Sequence, residues 1–232
     1  MTAPPIRLGY HGSAALAAGL VSAAGRTPAE VTLHEYAVND PFRLLRAGEL
    51  DVMIAKFLVR EPDLDRSATL STDARALVVG ETHPLAGHAT LRLDDLADVD
   101  GFACPGTMPG YVWDEVVPRT TPSGRPIHRR YALETTAGMM ALVRSGAAVH
   151  LSLASLSEVA PPGIRLVPVD MPAAPVFLTW VRDRVPGHVL DFVHAAEAGA
   201  GAGAAEAGTG AGAGAGAAEA GAGAGVPAGV RR

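Results

Sequence analysis

Short apolar runs and stretches with helical spacing alternate along the first 57 residues of the chain. Apolar runs, or apolar residues alternating with polar ones, predict strands at residues 6–10, 31–36 and 50–54. Helices are predicted between them, at residues 14–24 and 41–47. Because strands and helices take turns, the pattern favours an open, largely parallel sheet covered by helices.

The ends of these two helices are predicted from local signals. Ser13 is a preferred N-cap residue, and Leu16 and Leu20 lie four positions apart on one helix face. Pro41 suits the first turn of the second helix, and Gly48 suits the residue after its end.

A second series of strands and helices follows. Strands are predicted at residues 76–79, 102–104, 127–133, 148–151 and 176–181, and helices at residues 93–96, 111–117, 136–145 and 186–196. The repetition predicts two α/β halves with a cleft between them. From about residue 195 the sequence becomes almost pure Ala and Gly, which bury little area, so residues 196–232 are predicted to form a disordered tail.

Composition limits which cellular compartment and which classes of partner are expected. The chain carries a net charge of −5, and its basic residues occur at most in pairs, so direct binding of nucleic acid is not expected. Cys104 is the only cysteine, which excludes an intrachain disulfide and fits a reducing compartment. The sequence contains neither a signal peptide nor an apolar run of ~18 residues, so a cytoplasmic protein without membrane contact is expected.

Five segments carry a family resemblance. They are IRLGYHGS, LLRAGELDVMIA, ALVVGETHPLAG, LRLDDLADVDGFACPG and LETTAGMMALVRSGAAVHLSLAS, in this order. Together they resemble the effector-binding domain of LysR-type transcriptional regulators over nearly all of residues 6–195. The resemblance implies an α/β, periplasmic-binding-protein-like fold with two α/β subdomains around a central ligand cleft. It places residues 6–76 plus 181–195 in subdomain I and residues 77–180 in subdomain II.

The resemblance also implies a partner, a second copy of the chain, and the chain departs from the family pattern in two respects. It implies a homodimer formed side by side through the first half. Only five residues precede the first strand, so the helix-turn-helix is expected to be absent, and one role compatible with this is modulation of a full-length LysR-type regulator. The strand at residues 148–151 usually ends apolar in the family, whereas this chain carries His150 there.

Ligand-binding residues are expected beyond the carboxyl ends of the strands, where open α/β sheets bind ligands and where helix N-termini favour anions. The candidates are His11, Gly12, Ser13, Lys56, Gly106, Thr107, Thr135, Thr136 and His150. Simple helix capping explains Ser13, Thr135 and Thr136 about equally well. Lys56 is equally explained as a solvated lysine or as a partner of Asp51.

Two functions remain open from the sequence. The first is a stand-alone module that binds a small, anionic or aromatic metabolite. The alternative is a cofactor-independent cyclase, isomerase or dehydratase in which His11 is the base and His150 the acid, with Ser13 in an oxyanion site. No metal-ligand spacing, phosphate loop or dinucleotide fingerprint occurs, so neither a metal nor a cofactor is expected. The missing signal peptide argues against a third possibility, a transport-type solute-binding protein.

Overall fold

The computed structural model describes the backbone of residues 3–210 and the side chains of residues 3–201. The strands are β1 Ile6–Tyr10, β2 Val31–Glu35, β3 Val52–Ala55, β4 Leu64–Arg66, β5 Ser71–Asp73, β6 Arg75–Gly80, β7 Leu91–Arg92, β8 Asp100–Phe102, β9 His128–Tyr131, β10 His150–Leu153, β11 Ile164–Asp170 and β12 Ala174–Val181. The helices are α1 Ala14–Ala23, α2 Arg43–Arg46, α3 Gly110–Val116, α4 Thr136–Arg144 and α5 Gly187–Gly210, with 3₁₀ helices at Pro84–Gly87, Leu93–Leu96 and Ala154–Val159.

The first sheet has the strand order β2-β1-β3-β12-β4, and β5 also pairs with β12. Strand β1 runs parallel to β2 and β3, whereas β12 runs antiparallel to β3. Helices α1 and α5 cover this sheet, and their apolar faces form one core with it around Leu8, Leu178 and Phe192, which are fully buried. The parallel arrangement predicted for the first half is confirmed for β1, β2 and β3.

The second sheet has the order β10-β6-β11-β7, with β6 antiparallel to both of its neighbours. A separate parallel pair, β8 and β9, lies beside it. Helices α3 and α4 pack against these strands in a second core that includes Leu77, Phe102 and Val143. The chain therefore builds two α/β bodies, and the predicted fold class is confirmed.

The first crossing between the bodies lies close to the predicted boundary at residues 76–77, whereas the second lies elsewhere. The first crossing is the single residue Ala74 between β5 and β6. The second precedes β12, because all of Ala174–Val181 pairs with strands of the first sheet. The predicted boundary near residue 180 is therefore wrong, and it cut through a buried strand. Below, subdomain I means residues 3–73 and 174–201, and subdomain II means residues 75–173.

The predicted tail begins too early. Helix α5 continues past residue 196 to Gly210, and Ala196 is only 1% exposed. The Glu197 carboxylate accepts a hydrogen bond of 2.7 Å from the Ala68 backbone N–H. Gly199 lies so close to α1 that a Cβ atom there would collide with the Ala23 carbonyl oxygen. Small residues here allow two helices to approach closely, and residues 211–232 of the predicted tail lie outside the described residues.

Within residues 3–210, none of the helices combines the length and the apolar character that crossing a membrane requires.

Candidate functional site

A cavity of about 150 Å³ lies between the two subdomains. Its walls are mainly apolar and come from both bodies, among them Phe42, Met53 and Phe57 of subdomain I and Trp113, Met139 and Leu156 of subdomain II. An apolar cavity of this size can hold a benzene-sized molecule. Five of the nine predicted site residues line it, namely His11, Gly12, Lys56, Thr136 and His150.

His11 lies in the turn between β1 and α1, and its ring is fixed by the neighbouring strand. The Nδ1 atom is 3.1 Å from the Tyr36 carbonyl oxygen, so the proton is assigned to Nδ1 and donated to that oxygen. Burial lowers the pKa of His11, and the charge of Lys56 lowers it further against the Tyr36 hydrogen bond. The imidazole is therefore neutral at pH 7, with Nε2 as its unprotonated nitrogen.

His150 is the first residue of β10 and lies among aromatic side chains. Its ring stacks on Trp113 with centroids 5.9 Å apart and meets the Phe102 ring edge-on at 5.7 Å. Burial, helped by the neighbouring Arg75 guanidinium, lowers the pKa of His150 to about 4. Its Nδ1 atom is buried and has no hydrogen-bond partner among the described residues.

The structure brings the two histidines to one cavity but does not favour the acid role of His150. A general acid needs a pKa near the working pH. With a pKa of about 4, His150 carries no additional proton to donate at pH 7. The predicted acid–base pair thus lacks its acid under neutral conditions, because the site of His150 is too apolar to hold an imidazolium.

Lys56 lines the cavity, but its charge is already paired. Its Nζ atom donates to the Ser155 hydroxyl at 2.7 Å and contacts the Asp73 carboxylate at 3.2 Å. Asp73 also accepts a hydrogen bond of 3.2 Å from the Ser155 backbone N–H, which ties subdomain I to the Ala154–Val159 helix. The suggested partnership of Lys56 with Asp51 is wrong, since Asp51 is bound by Arg7.

Four predicted site residues do not line the cavity. Ser13 and Thr135 act as helix caps, since their hydroxyl oxygens accept hydrogen bonds from the backbone N–H groups of Leu16 and Gly138. Gly106 and Thr107 instead join the subdomains.

This joining contact is formed between the Gly106–Thr107 turn and the Asn39–Asp40 segment, and we call it the Asn39–Thr107 contact. The backbone N–H of Thr107 donates to the Asn39 carbonyl oxygen at 2.7 Å, and its hydroxyl donates to Asp40 at 2.8 Å. The turn therefore holds one edge of the cleft closed instead of facing a ligand.

Several cavity residues are not indicated by the sequence pattern. Trp113 occupies an apolar helix position, which predicts only a core residue. Ser152 and Ser155 follow His150 in the sequence HLSLAS, where strand alternation puts Ser152 two positions after His150 on the same face. That alternation was the available signal for Ser152; nothing in the sequence pointed to Trp113. Among the described residues, no group of three or more His, Cys, Asp or Glu side chains could hold a metal ion.

Stability is expected to depend on pH through His150. The unfolded chain binds a proton at His150 below pH 6.5, whereas the folded chain does so only near pH 4. The free energy of unfolding should therefore fall by about 2 kcal/mol between pH 7 and pH 5, and the stabilisation is lost as the pH falls. Urea unfolding at the two pH values measures it.

Two variants control this prediction. His150→Phe keeps an apolar ring beside Trp113 and should remove most of the pH-dependent loss. His88→Gln changes an exposed histidine and should retain it. An equal loss in wild type and in His150→Phe would assign the pH dependence to other groups.

Known proteins resemble this chain in sequence and in fold. The family described as "LysR substrate binding domain" matches residues 23–200. The curated relative "Uncharacterized HTH-type transcriptional regulator YvbU" of Bacillus subtilis (strain 168) is 28% identical over 137 residues, which are 59% of this chain and 43% of the relative. The chain thus spans less than half the length of that relative.

Solved structures agree with this family in fold. CbnR, a LysR family transcriptional regulator, matches with a TM-score of 0.67 at 21% identity, covering 84% of this chain and 70% of CbnR. The effector-binding domain of QuiR, in complex with shikimate, matches with a TM-score of 0.65 at 18% identity, covering 85% of this chain and 97% of that domain. The effector-binding domain of BenM, with its effector benzoate, gives 0.63 at 17% identity, covering 88% and 93%. Since the family match extends over most of the chain, this protein belongs to the LysR substrate-binding domain family.

Proposed function

We propose that the chain binds a small molecule in the cavity between its subdomains and that the bound molecule stabilises their closed arrangement. The observation that carries the proposal is a mainly apolar cavity whose walls come from both bodies. A ligand there touches subdomain I and subdomain II together, so its binding free energy favours the closed over the open arrangement. QuiR and BenM, whose folds are similar, are described with shikimate and benzoate.

We further propose the setting of this activity. The chain acts as a cytoplasmic homodimer and as a ligand-responsive partner of a full-length LysR-type regulator, without touching nucleic acid itself. Its net charge of −5 supports the last point. Strand β2 is one edge of the first sheet within the described residues and exposes Leu33, which supports a side-by-side dimer through this edge. We do not propose an enzyme, because the acid role assigned to His150 has no support.

Binding in the cavity is tested with indole, a neutral bicyclic probe, by titration of the ¹⁵N-labelled protein in heteronuclear NMR. We expect chemical-shift changes at cavity residues of both subdomains, including Gly12 and the Trp113 indole N–H. Ser152→Phe places a ring in the cavity and should abolish these changes.

Ser157→Phe makes the same replacement at an exposed position outside the cavity and should leave indole binding unchanged. Shift changes confined to one subdomain, or changes that survive in Ser152→Phe, would contradict the proposed site.

A further inference from the structure

The cavity contains one permanently charged lining residue among those described, and that residue is not available to a ligand. The Lys56 side chain is only 14% exposed, and its ammonium group already contacts Asp73 and Ser155. A ligand carboxylate that reaches Lys56 would find its charge already paired with Asp73. The net attraction of this pair for an anion is small, because the positive charge of Lys56 and the negative charge of Asp73, 3.2 Å apart, largely cancel.

One of the helix N-termini beside the cleft, that of α1, is also occupied. Helix α1 begins beside the cavity-lining Gly12, and such an end attracts anions through its free N–H groups. Here the Ser13 hydroxyl oxygen accepts a hydrogen bond from the Leu16 N–H. The Ala15 N–H donates to the Glu158 carboxylate at 3.4 Å. Glu158 comes from subdomain II, so closing the cleft brings the chain's own carboxylate to this position.

A nearby arginine, Arg75, does not line the cavity. Arg75 is only 4% exposed, and its guanidinium donates to the carbonyl oxygens of Glu115 and Val116. The Phe57 ring lies 5.2 Å from this guanidinium and lines the cavity, which Arg75 does not. Phe57 therefore presents an apolar ring to a ligand where the cation would otherwise be reached.

The other polar groups of the lining are uncharged at pH 7 and suit a neutral ligand; they include the hydroxyls of Thr136, Ser152 and Ser155. The Nδ1 proton of His11 is used by the Tyr36 carbonyl, so Nε2 remains as an acceptor for a ligand hydroxyl or N–H. The face of His150 packs on Trp113 and contributes an aromatic surface. Protonating either ring to meet a carboxylate would put a cation into an apolar wall, which is costly.

We propose, on the basis of the proposed function, that the cavity takes an uncharged hydrophobic ligand carrying one hydrogen-bond donor and rejects carboxylates. Two groups that would attract a carboxylate, Lys56 and the α1 N-terminus, are satisfied by Asp73 and Glu158 of the chain itself. A largely apolar ring system with one hydroxyl or N–H fits this set of contacts.

Two probes of nearly equal shape test the inference. Indole-3-carboxamide is neutral, and indole-3-carboxylate carries one negative charge at pH 7. Titrations of the ¹⁵N-labelled protein should give a dissociation constant at least about tenfold lower for the carboxamide, because the buried charge of the carboxylate finds no free cation among the described lining residues. Equal or tighter binding of the carboxylate would overturn the inference and leave cavity binding intact. Binding of neither probe, nor of indole, would overturn the proposed function itself.

Variants test the stated cause. Asp73→Asn should free the charge of Lys56 and improve carboxylate binding by about tenfold relative to the carboxamide. Glu158→Gln changes an exposed side chain, so folding is not threatened, and it should improve the same ratio by about two- to fivefold. Asp51→Asn, which alters an ion pair outside the cavity, should leave the ratio unchanged. If the ratio of the two dissociation constants, carboxylate to carboxamide, were unchanged in both Asp73→Asn and Glu158→Gln, the roles assigned to Asp73 and Glu158 would be overturned.

Discussion

Replacing Trp113 with alanine is expected to lower the free energy of unfolding by about 3–5 kcal/mol. Trp113 lies on α3, is only 2% exposed and belongs to the core of subdomain II. Its indole N–H donates to the Phe102 carbonyl oxygen at 3.3 Å, so the alanine variant also removes this hydrogen bond from a buried acceptor. Urea unfolding followed by far-UV circular dichroism measures the loss.

The same substitution has a second expected effect, on His150. Without the stacked indole, water reaches the imidazole, and the pKa of His150 should rise from about 4 toward its ordinary value of 6.5. Titration of the His150 ring protons by NMR measures this shift. An unchanged pKa would mean that burial by Trp113 is not the cause of the depressed value.

Trp180→Ala is the matched control, since it removes the other tryptophan of the chain. Trp180 lies on β12 and is partly exposed at the border of the other core. Its removal should cost less stability than removal of Trp113 and should leave the pKa of His150 unchanged. Equal losses of stability in both variants would contradict the argument that burial in subdomain II determines the cost.

Much of the first half of the fold was predictable because its signals are local. Strand β1 was predicted with its observed bounds, and the start of α1 follows from the Ser13 cap. Both depend on a few neighbouring residues: an apolar run and a hydroxyl that reaches an N–H three positions along the chain. The structure shortens the second helix to Arg43–Arg46, and the flanking residues Phe42 and Ala47 keep helical backbone angles.

The elements that were missed depend on distant partners. Strands β4, β5 and β7 have only two or three residues each, too few to show a period. Strand β11 contains Pro168, which argues against a central strand, yet β11 pairs with both β6 and β7. The extension of α5 beyond residue 196 arises from packing of Gly199 on α1, which Ala and Gly composition alone does not reveal.

The candidate site was predicted only in part, because some of its residues have local signals and others depend on distant partners. His11, Lys56 and His150 are ionisable residues beside apolar runs, and all three line the cavity. Ser13 and Thr135 could not be separated from ligand-binding residues, because capping and anion binding use the same hydroxyl and N–H groups. The role of Thr107 depends on Asn39, which lies 68 residues earlier, so no local pattern indicates it.

Replacing Gly106 with alanine is expected to break the Asn39–Thr107 contact and to lower the free energy of unfolding by about 2–4 kcal/mol. Gly106 has a φ of +47°, which is unfavourable for alanine, and an added Cβ would collide with the Asn39 carbonyl oxygen. That oxygen accepts the Thr107 N–H, so the collision and the lost hydrogen bond occur together. Faster amide hydrogen exchange at Thr107 would report the loss.

Gly110→Ala, four residues later, separates this contact from a general effect of alanine. A Cβ at Gly110, the first residue of α3, meets no atom within 4 Å, so its effect should stay within about 0.5 kcal/mol. If the Asn39–Thr107 contact holds the cavity walls of the two subdomains together, Gly106→Ala should also weaken binding of indole-3-carboxamide, although Gly106 does not line the cavity. Gly110→Ala should bind the probe as wild type does. Unchanged affinity in Gly106→Ala would restrict the contact to a role in stability, because closure of the cleft would then not depend on it.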